Sequence, residues 1–211
     1  MTAGAPAMTA GAPPHEGPCH APGCRAIPSL PMRGLRSIVG MTLAVVVGCA
    51  GAGQYGYART YVALSDERPW IERAEEPVYD EVRRMPDQYR DRPISFFGVV
   101  TAVSTEGAQS RIAMQVRTHQ ERHLCEDESE STCRVTVNAR DGGAFTALVS
   151  LSPDDVSGEN RVQVNSLLRV FGTIIPGEYD ADGGPVLRAA YYRHWPRGQY
   201  VTTNAAGAMR R

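Results

Sequence analysis

The feature that most limits what this chain can fold into is a change of period at Pro93, after which apolar residues recur at every second position and glycine falls inside the segments they define. Ile94 to Val103 is β-branched and aromatic with Gly98 inside it, and a glycine there marks a bulge or a bend at a barrel corner. Arg111 to His119 alternates Ile112, Met114 and Val116 with polar partners, and Arg134 to Ala139 alternates Val135 and Val137. Asp141-Gly142-Gly143 is a turn signal leading into Phe145, Ala147 and Val149. Leu167 to Ile175 holds Gly172, and Val186 to Tyr192 follows a Gly/Asp turn. Five to six short strands, two bent at glycine, with one short helix expected from about Val78 to Met85, predict an all-β fold. The first choice is a small Greek-key barrel of the OB type, and the alternative is a β-sandwich. The two are separated by whether the first strand pairs with both of the strands that follow.

All 22 basic residues of the 211 are arginine. Without lysine the chain can build neither a P-loop nor a Schiff base. A net charge of −1 argues against a dedicated nucleic-acid binder, which needs a basic excess. The lysine-free composition by itself reads as a coding bias and does not identify a partner.

Residues 1–31 begin with a near-repeat, MTAGAPA then MTAGAPP, and 18 of the 31 are Ala, Gly or Pro, so they read as a disordered leader or a misassigned start. Met32 to Arg36 is a short basic stretch, Ser37 to Val47 is an apolar run of 11 residues, and Gly48-Cys49 follows. Eleven helical residues rise about 16 Å, roughly half of the hydrocarbon thickness, so 32–48 reads as a signal peptide and not as a membrane span. Val46-Val47-Gly48-Cys49 resembles the lipobox of bacterial lipoproteins, in which the cysteine receives diacylglycerol and acyl chains such as palmitate. That resemblance implies a mature chain starting at a lipid-modified Cys49, and Ala50 after it implies export to the outer membrane. Several acyl chains hold a protein firmly, since each buried methylene contributes about 0.8 kcal/mol. The mature part carries 19 arginines against 22 acids, a charge near −3. Residues 49–76 read as a tether, 77–200 as the barrel domain and 201–211 as a disordered tail.

Pro86-Asp87-Gln88-Tyr89 followed by Ile94, Gly98, Val100 and Val103 looks like the lead-in of the Slp family of starvation-inducible outer-membrane lipoproteins. Leu168 to Ile174 with Gly177-Glu178 is similar to that family's second glycine strand, Gly143 to Pro153 to the stretch between, and Tyr191 to Trp195 to its aromatic C-terminal region. The resemblance spans about Pro86 to Tyr200. Asp91 stands where the family has a glycine, and Phe97 replaces the first glycine of a pair. It implies a lipoprotein of the envelope, lipid-anchored in the outer membrane and facing the periplasm or the cell surface, with no catalytic residues to carry over.

Cys125 and Cys133 remain once Cys49 is assigned to lipid, and in an oxidising compartment they are expected to pair as a disulfide around an acidic tip of Glu126, Asp127, Glu128 and Glu130. That tip lacks calcium-loop spacing. Cys19-His20 with Cys24 has zinc-like spacing but lies in the leader. His119, Glu121, His123 and Cys125 share parity, yet on a regular strand the two histidines would stand about 13 Å apart, too far for one metal. No G-x-S-x-G is present, and His194 can be set against Asp180 or Asp182 only as any chain with this many acids permits. No catalytic constellation, metal or cofactor is therefore expected. The concentrated patch is Tyr191 to Tyr200, where Tyr192, Arg193 and Trp195, together with Phe96, are candidate ligand-binding residues for a glycan or another envelope protein. The leading expectation is a structural or binding component of the envelope. The others are a glycan-binding module and a hydrolase or metal protein. Replacing Cys49→Ser is expected to remove the protein from the detergent phase in Triton partitioning and to abolish palmitate labelling; continued partitioning would overturn the lipobox reading.

Overall fold

Successive side chains of a strand point to opposite faces, so a strand apolar at both parities needs a core on each side. The structure, a computed structural model, describes residues 54–209 apart from positions 56, 128 and 141 and the side chain of Glu106. Its strands are β1 (Ile94–Glu106), β2 (Gln109–Arg117), β3 (Val135–Val137), β4 (Ala144–Val149), β5 (Leu167–Tyr179), β6 (Pro185–Trp195) and β7 (Tyr200–Thr202). Short helices α1 (Arg68–Ile71), α2 (Tyr79–Arg84) and α3 (Pro153–Val156) accompany them.

β1 pairs antiparallel with β2 on one edge and with β5 on the other, which excludes the sandwich. The order β1-β2-β4-β6-β5 closes on itself, with β4 and β6 parallel and the remaining neighbours antiparallel. Counted along the chain the five barrel strands follow the order 1-2-3-5-4, with α3 between the third and fourth. The fold is an all-β OB-like Greek-key barrel. Two glycines let it close. A Cβ on Gly98 would stand 2.8 Å from both the Met114 Cβ and the Phe145 ring inside the barrel, and one on Gly172 would meet the Arg188 carbonyl oxygen at 2.2 Å, where the β5–β6 register shifts.

The barrel interior is filled by Ile94, Phe96 and Val100 of β1, Ile112 and Met114 of β2, Phe145 and Val149 of β4, Leu168 and Val170 of β5, and Leu187 of β6. α2 closes one end with Tyr79 and Val82, and the Tyr79 hydroxyl donates to the Ala144 carbonyl. The other parity of β1 and β5 supplies a second core outside the barrel, where Phe97, Val99, Leu167 and Trp195 pack with Val135 and Val137 of β3 and with Tyr55, Tyr61 and Tyr200.

That outer core corrects three expectations. Residues 54–76 are not a free tether, because their tyrosines cover the outer face and the Trp195 indole nitrogen donates to the Tyr55 carbonyl at 2.9 Å. Residues 201–211 are not a free tail as far as they are described, because β7 pairs in parallel with β3 and a 3-10 turn follows over Thr203–Gly207. The β3 strand lies outside the barrel for the same reason. The expected disulfide joins Cys125 to Cys133 across the loop that precedes β3. Residues 1–48, with the signal peptide and leader, and Cys49 itself lie outside the described residues.

Between the two layers sits a buried ion cluster. The Glu67 carboxylate is fully buried and accepts from Arg193 Nη1 at 2.8 Å, Arg169 Nη1 at 3.3 Å and the Leu64 amide at 3.2 Å, with the Tyr61 hydroxyl as a further donor. Arg169 also holds Ser95 Oγ at 3.1 Å and reaches the exposed Glu76. Phe97, Phe171 and Tyr61 lie against the Arg169 guanidinium, and Tyr61 and Trp195 against that of Arg193. Removing one partner of a buried pair leaves an uncompensated charge and costs about 3–5 kcal/mol, whereas an exposed partner contributes about 0–1 kcal/mol. Glu67→Gln is therefore expected to lower the urea midpoint steeply and Glu76→Gln hardly at all; equal small effects would show that the cluster does not hold the N-terminal segment.

Candidate binding cavity

Of the four residues singled out in the sequence, two are core. Phe96 is 5% exposed inside the barrel, packed on Tyr79 and Phe145, and Trp195 is fully buried in the outer layer. The expectation that these two rings bind a ligand is corrected, because β1 and β6 each bury the parity on which they stand. Arg193 is 3% exposed and committed to Glu67. Tyr192 is half-buried. Tyr192 and Arg193 nonetheless line one cavity, of about 770 Å³, and they line it with residues that the sequence did not bring together.

Its walls are the N-terminal segment (Gln54, Tyr55, Leu64, Asp66), the connection between β4 and β5 around α3 (Ser152, Asp154, Asp155, Glu159, Asn160) and Ala189 to His194 of β6. Such a volume lies within the range of small-molecule sites, about 300–1,000 Å³. Tyr191 stands on this wall with Trp70 of α1 stacked on it at 6.2 Å, and Arg73 covers the other ring's face region at 4.4 Å from the Trp70 centroid. Burial, and then the charge of Asp66, push the Tyr191 hydroxyl above its ordinary range, so it stays a neutral phenol. Arg193 Nε is a buried donor with no partner among the described residues. The site thus offers carboxylate and hydroxyl acceptors, phenol donors and aromatic faces in one concavity.

Asp155 is the organised acid of the cavity. Its carboxylate accepts from the Ser152 hydroxyl at 2.8 Å and the Tyr192 hydroxyl at 2.5 Å and pairs with His194 Nδ1 at 2.6 Å. Burial alone would raise its pKa, but the hydrogen bonds from His194, Tyr192 and Ser152 outweigh burial and hold it below the ordinary carboxylate value. His194 Nε2 lies 3.1 Å from Ser166 Oγ, so an acid, a histidine and a serine stand in line. Neither Asp180 nor Asp182 is the partner. Ser166 is fully buried, and its Oγ also accepts the Gln163 amide at 3.2 Å, so the line ties α3 to the start of β5 and presents no nucleophile. Sequence spacing does not reveal it, because Asp155, Ser166 and His194 come from three elements that only barrel closure joins.

His119 and His123 are a second departure. They are not on a regular strand: residues 119–134 form isolated bridges, and the two rings lie 5.4 Å apart by centroid. His119 stacks on Phe97 at 4.9 Å, and both ring nitrogens of His123 and Nε2 of His119 are buried with no hydrogen-bond partner among the described residues. Among the described residues no group of three or more His, Cys, Asp or Glu side chains is placed to hold a metal ion. At the acidic tip, Asp127 accepts from the Ser129 amide at 2.7 Å and the Thr132 hydroxyl at 2.9 Å and so serves its own loop.

No protein-family model and no curated protein matches the chain. Among solved structures it is similar to the aspartyl-tRNA synthetase from Entamoeba histolytica, at 10% identity and a TM-score of 0.37 over 67% of this chain and 25% of that one. It is also similar to a chain of a replication protein A heterotrimer bound to single-stranded DNA, at 12% identity and a TM-score of 0.28 over 64% of this chain and 87% of that one. Likenesses at these scores say nothing of function, and the fold assignment rests on strand order and pairing.

The histidine pair gives the fold a defined acid sensitivity. Burial first, then the neighbouring charges, depress His119 to about 3 and His123 to about 4. Both are neutral in the folded chain and protonate near 6.5 in the unfolded one, so stability is complete above about pH 6.5 and falls as the pH drops toward 4. Well below 6.5 each histidine removes up to about 1.4 kcal/mol per pH unit. The double variant His119→Phe/His123→Phe is expected to flatten the melting temperature between pH 6.5 and 4.5; an unchanged slope would place the acid sensitivity elsewhere.

Proposed function

We propose that this chain is a lipoprotein of the bacterial envelope, anchored in the outer membrane through Cys49 and facing the periplasm, whose barrel is a rigid module that binds a glycan. The observation that carries the binding reading is the cavity beside β6, where the rings of Tyr55, Tyr191 and Tyr192 stand with the carboxylates of Asp66 and Asp155. A sugar suits such a lining, since its hydroxyls donate to carboxylates and accept from phenol hydroxyls, and the apolar face of the ring lies on a phenol. A polyphosphate backbone does not suit it, because Asp66, Asp154, Asp155 and Glu159 repel phosphate.

Two features support the anchored part of the reading. The disulfide fits an oxidising compartment. Asp91, where the Slp family has glycine, takes a φ of 61°, a left-handed conformation that glycine favours. A filled barrel leaves no internal ligand space, which directs binding to the rim.

The binding reading is tested by retention on purified cell-wall glycan and on envelope glycolipid. Tyr191→Ala and Asp66→Asn are each expected to weaken retention about tenfold, a loss of about 1.4 kcal/mol, with the urea midpoint little changed. Retention that is absent in the parent, or unaltered in both variants, would retire the glycan module.

A further inference from the structure

We infer that the ligand of this cavity is the saccharide headgroup of a glycolipid lying in the same membrane that anchors the protein. The inference rests on the lipoprotein and glycan reading above and adds to it the source of the sugar. It starts from where the chain leaves the barrel. Gln54 and Tyr55 are cavity wall, and both are pinned: Arg193 Nη2 donates to the Gln54 carbonyl at 3.2 Å, and Trp195 Nε1 donates to the Tyr55 carbonyl at 2.9 Å. Tyr57, just beyond, bonds through its hydroxyl to the Gln199 side chain. The segment that leads back to the anchor is therefore the segment that forms the site.

Gln54 stands 54 − 49 = 5 positions after Cys49. Five residues span at most about 18 Å even when fully extended. The polar layer of one leaflet is itself about 5–8 Å deep, from the difference between total and hydrocarbon thickness. A site wall tethered within that distance faces sugars that stand on the bilayer. Polymeric glycan lying beyond this reach would have to bend toward the membrane to enter. The chemistry agrees with a neutral sugar headgroup, because the wall presents carboxylates and phenols, and its one arginine is already paired with Glu67.

The test uses the full mature lipoprotein, reconstituted through its own acyl chains in phosphatidylethanolamine–phosphatidylglycerol vesicles doped with a neutral diglycosyl diacylglycerol. Tryptophan fluorescence reports occupancy, since Trp70 stacks on the cavity-wall Tyr191. The comparison protein carries about twenty inserted Gly/Ser residues after Gly53, which lengthens the link from five residues to about twenty-five and lowers the effective concentration about tenfold by the −3/2 power of length. The glycolipid fraction needed for half-saturation is expected to rise about tenfold on insertion. The concentration of free, deacylated headgroups needed for half-saturation is expected to stay unchanged. If both proteins saturate at the same glycolipid fraction while still binding free headgroups, the same-membrane source is overturned and the glycan reading stands. If the parent responds to cell-wall glycan but to neither glycolipid nor its headgroups, the inference falls and the ligand is the polymer. If it responds to no saccharide, the glycan reading itself fails.

Discussion

A carboxylate held between two guanidiniums, away from water, is the contact on which the arrangement of this molecule depends. Glu67 comes from the segment before the barrel, and Arg169 and Arg193 project from the outer faces of β5 and β6. None of the three is stable in that position alone, since a charge taken from water must be paired and hydrogen-bonded. The arginines therefore require the N-terminal segment, which its tyrosines on the outer core and the Trp195–Tyr55 bond hold in the same place. Aromatic rings on both guanidiniums keep water out and replace part of the lost hydration.

With Glu67 seated, the remaining outer layer follows. Tyr61 is drawn against Phe97 and Trp195, the histidine pair is enclosed, and β3 and β7 complete a cover of two short strands. Burial holds the Tyr61 phenol neutral and the two imidazoles uncharged, so the cluster keeps one buried anion, Glu67, against two cations, with the exposed Glu76 as a further partner of Arg169. The same seating fixes Gln54, Tyr55 and Asp66 opposite β6 and so makes a cavity where the bare barrel would have an open rim. The site is a product of the cover, and the filled barrel acts as its rigid floor.

The legible parts were those governed by neighbours in the chain. The strands of the barrel follow from alternation, the two bends from Gly98 and Gly172, helix α2 from the spacing of Val78 and Val82, and the disulfide from cysteines eight positions apart. The aromatic run from Tyr191 to Tyr200 is compatible in sequence with either a ligand site or barrel packing, and the structure buries Trp195. In β1 both parities are apolar, the mark of a strand buried on both faces, and Phe97 beside Phe96 already carried that signal. The segment reads as a tether because Tyr55, Tyr61 and Glu67, each six positions from the next, stand among polar and small residues with no sustained apolar alternation; they are placed for contact with other elements.

The sequence by itself determined that the chain alternates, where it bends and that it lacks lysine chemistry, because these depend on residue identity and on spacing of a few positions. Tertiary structure alone decided which face of each strand is inside, that Asp155 and not Asp180 holds His194, that the histidines stand side by side, and that a cavity exists. Those outcomes turn on strand order and on charge pairing between residues more than one hundred positions apart, such as Glu67 with Arg169 and Arg193. Local periodicity carries no record of which distant partner will neutralise a buried charge.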